Sequence, residues 1–164
     1  MPSPKEQFLD VYRKEHATTV KVMKAYPADK AEFQPHPRSA SAKRLMHTFG
    51  MEQGVVAAAI NGTLTMPPNM PPEPVSIALA IAAFEKGCQS VEQALGKVPD
   101  SRLHETVDFY TGPKQMGKVP ILDIMWLMLM DQVHHRGQLS VYLRLLNVPV
   151  PSIYRPSADE NPFK

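Results

Sequence analysis

Asp131 and His135 lie four residues apart in a stretch that runs from about Val119 to Leu146 and has no proline after Pro120. On an α-helix that spacing puts both side chains on one face. A carboxylate and an imidazole so placed can aim at one centre and hold a divalent cation, as the two histidines of an H-E-x-x-H pattern do. The same face continues through Gln138 and Tyr142, with Ile124 and Met128 before it and Leu145 after it. Turned inward, it would bury an acid, an imidazole, an amide and a phenol side by side, a costly arrangement unless they bond to one another or to an ion. Turned outward, it is a solvated face carrying a surface ion pair of little energetic weight. A metal site needs a third ligand from another helix. His16 stands among Arg13, Lys14 and Glu15 and reads as surface; His36 lies between prolines, and His104 falls in a connecting segment. His134 is turned about 100° from His135. His47 remains, with Gly50 and Gly54 on its face, where a helix or a ligand could approach closely. Glu52 lies about 140° round the helix from His47, a poor base for a site built there. Gln132, Arg136 and Arg144 share a face that suits solvent.

The elements that must carry these residues are marked by proline. Prolines cluster at 2–4, 27–37, 67–74, 99–120 and 149–162, and helix interiors exclude them. Between the clusters, apolar residues recur at helical spacing, which predicts helices over about 5–25, 39–61, 75–96 and 119–146. Ser39 or Ser41 can cap the second, and Asn61-Gly62 stops it. Residues 102–110 alternate and contain β-formers, which predicts a short strand or extended arm in the long connection before the last helix. Met66 to Pro72 reads as a stiff linker. The tail from Pro149 is irregular, with Tyr154 and Phe163 available to pin it. Fold class is therefore all-α, a four-helix bundle, in a single domain over 1–164.

Composition narrows the function. A chain of 164 residues is one domain's worth. Its net charge of +2, with no basic stripe, excludes nucleic acid as the default partner. Cys88 is the single cysteine and demands no oxidising compartment. The polar N-terminus has no signal-peptide core. The longest apolar run, Ile124 to Met130, is far short of the about 20 residues of a membrane span. The expectation is a cytoplasmic protein with no membrane partner. Ten methionines exceed the obvious needs of one small core; methionine adapts to interfaces as well as interiors.

The segment His134-His135-Arg136-Gly137-Gln138-Leu139-Ser140-Val141-Tyr142-Leu143-Arg144 resembles the signature of the DinB-like (damage-inducible) superfamily. So do the residues from Val148-Pro149-Val150-Pro151 to Asp159-Glu160 and, more loosely, Phe33-Gln34-Pro35-His36-Pro37-Arg38-Ser39 running on to His47. The resemblance implies a bundle with up-down-down-up order and a long crossover, often as a homodimer. It also implies a divalent metal held by one histidine of the second helix and an H-x-x-x-H pair of the fourth. On this chain those positions are His47, Asp131 and His135. Asp131 departs from the pattern and leaves two imidazoles and one carboxylate, a set that suits zinc, nickel, iron or manganese. Gln138 and Tyr142 would then position ligands or a small-molecule substrate. Similar proteins include bacillithiol- or mycothiol-dependent transferases, which implies a metal-dependent thiol S-transferase or hydrolase, with a low-molecular-weight thiol as cofactor. The alternative is a non-catalytic stress-response or binding protein with a degenerate metal site.

Overall fold

The computed structural model describes residues 1–163; Lys164, the last residue of the tail, lies outside them. Four long helices form: α1 (Pro4–Lys24), α2 (Ala42–Asn61), α3 (Ile77–Gly96) and α4 (Ile121–Leu145). Serine begins three of them. The Ser3 hydroxyl accepts from the Glu6 amide while the Glu6 carboxylate accepts from the Ser3 amide, a closed capping box with Pro4 in the first turn. Ser41 and Ser76 cap α2 and α3 without the reciprocal bond, each accepting from the amide three residues on. Of the two serines able to cap α2, it is Ser41 that does so. Gly62, at φ 73°, ends α2 in the left-handed conformation.

Paired contacts give the helix directions. Lys5 reaches the Val98 carbonyl and Lys24 reaches Glu85, so α1 and α3 run antiparallel. Phe8 meets Trp126 and Glu15 meets Arg136 further along, so α1 and α4 run parallel. Gln53 bonds Gln132 and Tyr142 bonds the Ala40 carbonyl, so α2 and α4 run antiparallel. Gly50 packs on Ala83, and Gln53 on Gly87, so α2 and α3 run parallel. The order is up-down-down-up, with α1 diagonal to α2 and α3 diagonal to α4. At Gly87 a Cβ would stand 2.6 Å from the Gln53 Cβ; only glycine permits this approach.

The extended arm is a two-stranded hairpin, β1 (Thr106–Gly112) against β2 (Gln115–Pro120), antiparallel with Thr106 opposite Pro120 and Phe109 opposite Gly117. The first strand was legible in its alternation. The second was masked by glycine, lysine and a closing proline, and the turn places Lys114 at φ 60°. Among the described residues, no helix is long and apolar enough to cross a membrane.

The helix-four face differs from expectation. Its buried residues are Ile121, Ile124, Met125, Leu129, Gln132, Arg136, Leu139, Tyr142 and Leu143, so Ile124 and Tyr142 of the expected face are buried while Asp131, His135 and Gln138 are half-buried beside them. Arg136, read from sequence as solvent-facing, is 1% exposed. Its burial is compensated: the guanidinium lies 2.7 Å from the Glu15 carboxylate and donates to Thr19 Oγ1 and to the Tyr154 hydroxyl. It also stacks over the Tyr154 ring at 5.3 Å. Tyr154 thus pins the tail as expected, whereas Phe163 is exposed. His16 also departs from its surface reading, lying half-buried edge-on to Phe84 at 5.2 Å.

Candidate metal centre

Asp131 and His135 flank the buried stripe of α4 and face α2, both half-buried. The Asp131 Oδ1 to His135 Nε2 distance is 3.6 Å. From α2, Glu52 completes the group: one ligand atom from each of Glu52, Asp131 and His135 lies within 4.8 Å of the others. Glu52 is the deepest of the three, at 4% exposed, and neither of its carboxylate oxygens has a hydrogen-bond partner. A buried, unpartnered carboxylate is costly. Burial, and then the adjacent Asp131 carboxylate, push its pKa up to about 10. A cation between the three side chains would remove both penalties, because it supplies charge and occupies the free lone pairs.

The imidazole is already oriented for that role. His135 Nδ1 lies 3.0 Å from Gln138 Oε1. An amide oxygen only accepts, so Nδ1 is the donor in this contact, and in a neutral ring that tautomer leaves the Nε2 lone pair free on the Asp131 side. Metal-bound histidines are held by such a partner on the second nitrogen. Gln138 is itself fixed, its amide nitrogen 3.0 Å from His134 Nε2. Beneath the site a buried chain ties three helices together. The Tyr12 hydroxyl donates to Gln53 Oε1, Gln53 Nε2 donates to Gln132 Oε1, and Gln132 Nε2 donates to Thr19 Oγ1. Gln53 and Gln132 adjoin Glu52 and Asp131 in sequence, so this chain sets the register in which the two carboxylates meet.

Of the residues singled out from sequence, the structure brings Asp131, His135 and Gln138 together. Tyr142 is buried elsewhere: its hydroxyl donates to the Ala40 carbonyl and its ring meets Phe33, which fastens the loop before α2. His47 stands outside the group and lines a groove between α2 and α3. The reason is helical phase. Glu52 faces α4, and the residue one turn earlier on that face is Thr48, so His47 is rotated away. Glu52 lies about 140° from His47, and because His47 faces away from α4 that separation turns Glu52 toward it. Glu52 had one signal in the sequence: it shares helical phase with Leu45, Phe49 and Val56, all buried, and so is an acid on an apolar face.

The sequence matches the profile of the DinB family over residues 1–161. YrdA of Bacillus subtilis strain 168, an uncharacterized protein, is 28% identical over 108 residues, 65% of this chain and 62% of YrdA. The match therefore spans less than two thirds of that relative. A DinB-like protein from Bacillus cereus ATCC 10987 has a similar fold, with TM-score 0.75 and 20% identity over 90% of this chain and 95% of its own. YjoA, a DinB-like protein of Bacillus subtilis, superposes with TM-score 0.71 at 16% identity, covering 90% of this chain and 97% of its own.

Proposed function

The chain belongs to the DinB family, and from that membership and its carboxylate–imidazole cluster we propose a metal-dependent enzyme, a transferase or hydrolase acting on a small molecule. The observation that carries the reading is Glu52, a buried carboxylate with two unpartnered oxygens set against Asp131 and His135. Glu52, Asp131 and His135 would hold the ion, with Gln138 orienting His135. A divalent cation bound there supplies Lewis acidity and favours the thiolate form of a bound thiol. Two carboxylates and one imidazole form a harder set than three histidines and favour zinc, iron or manganese over softer ions. Three protein ligands leave positions free for substrate, as in catalytic sites. The chain's own thiol is unsuited to the reaction, because Cys88 is buried and burial pushes its pKa up to about 12. A reacting thiol therefore comes from solution.

The test is metal titration of the chelator-stripped protein with zinc, manganese and nickel, followed by a screen of bacillithiol and mycothiol with electrophiles. His135→Ala should lose metal uptake, and Asp131→His should retain it. If uptake is the same in the parent and His135→Ala, the cluster is not the site. A second reading, a non-catalytic protein with a degenerate site, is favoured by the proximity of Glu52 to Asp131: with its pKa raised, Glu52 keeps its proton and the pair needs no ion. Metal-independent thermal stability together with no turnover in the thiol screen would select it. The expected homodimer has a candidate surface on α4, where Leu127, Met130, Val141 and Leu145 are exposed along one side.

A further inference from the structure

We infer that the groove between α2 and α3 is a second ligand site, separate from the metal centre, for a small organic anion with an apolar body. The groove encloses about 390 Å³, within the range of small-molecule sites, roughly 300–1,000 Å³. Gly54 of α2, on the side turned away from Glu52, and Gly87 of α3 line it. So do Pro71 and Pro72 of the linker and two titratable residues, His47 and Lys86. The ligand class follows from the lining. It is mostly small or apolar, it contains no carboxylate, and its titratable groups are His47 and Lys86. Lys86 makes no ion pair among the described residues. An anion finds a cation and a ring N–H there, and an organic cation finds no counter-charge.

Gly54 is the second observation. A glycine inside a helix costs about 1 kcal/mol relative to alanine. Gly87 has a structural reason for that cost, because Gln53 packs where its Cβ would be. Gly54 has none: a Cβ built there meets nothing within 4 Å, and its φ is ordinary. The space it leaves open is shared between this groove and a smaller one lined by Val55, Ala58 and Leu64, so a larger side chain there intrudes on the groove. The His47, Gly50 and Gly54 face of α2, unused by the metal centre, is thereby accounted for.

The experiment uses the full chain, chelator-treated so that the metal centre cannot contribute, and ¹⁵N-resolved NMR titration with naphthalene-2-carboxylate. The neutral naphthalene-2-methanol and the cationic naphthalen-2-ylmethanamine are the controls. Saturable shifts should centre on the Gly54 and Gly87 amides, with the carboxylate bound at least fivefold more tightly than the alcohol and the amine most weakly. Lys86→Ala, a surface change, should reduce the carboxylate to the affinity of the alcohol. Gly54→Leu should fold, since it fills open space and improves helix propensity, and should abolish binding of all three. Any of four results overturns the inference: no saturable binding, shifts centred on Glu52 and His135, equal affinity for the three probes, or unchanged binding in Lys86→Ala.

Discussion

Replacing Glu52 by glutamine separates the cost of this buried acid from its use. Below about pH 4.5 the side chain is protonated in both the folded and the unfolded chain. Above that value the unfolded chain releases the proton, whereas the folded protein keeps it up to about pH 10. The folded state therefore binds the extra proton, and stability without metal falls as pH rises through this window. The interval from the ordinary 4.5 to pH 7 is about 2.5 units, at about 1.4 kcal/mol each, or about 3.5 kcal/mol. That figure depends little on the upper value, because pH 7 lies well below it. Glutamine keeps the shape and has no proton to retain, so this contribution disappears. Urea unfolding at pH 5, 6, 7 and 8 in the presence of chelator measures the difference: the parent should lose about 1.4 kcal/mol per pH unit relative to Glu52→Gln. With zinc added at 100 times its dissociation constant, the parent should regain about 2.7 kcal/mol, and the variant should gain little. Parallel pH profiles for the two proteins would refute the buried-acid reasoning, and equal zinc stabilisation would remove Glu52 from the site.

Arg136→Met and Glu15→Gln should each destabilise the fold by about 3–5 kcal/mol, because each strands one partner of a buried pair. The double variant should recover part of that loss in a denaturation cycle, and additive losses would count against direct coupling. His16, held below its ordinary pKa chiefly by burial against Phe84, resists protonation in the folded state. Stability should therefore fall as pH drops through about 6.5, and His16→Phe should flatten that limb of the chemical-denaturation profile. Val141→Arg should convert the proposed homodimer to monomer in light scattering while circular dichroism stays the same; a dimer that survives the change uses another face.

The helices were legible because their causes are local. Ser3, Ser41 and Ser76 offer caps, prolines crowd the connections, and apolar residues recur at helical spacing, all within a few residues of one another. The pairing of Asp131 with His135 was legible for the same reason, since one helix turn places both. The third member of the cluster was not, because it depends on which side of α2 meets α4. That rotation is set by distant contacts: the bond between Gln53 and Gln132, and the close approach that Gly87 allows α3. A shift of one residue, from His47 to Thr48, turns a side chain by about 100°, enough to take it on or off the face that carries Glu52. Arg136 shows the same division. Its position on α4 is written in the sequence, but its burial rests on Glu15, Thr19 and Tyr154, 121, 117 and 18 residues away, and only the packed bundle brings that compensation to it.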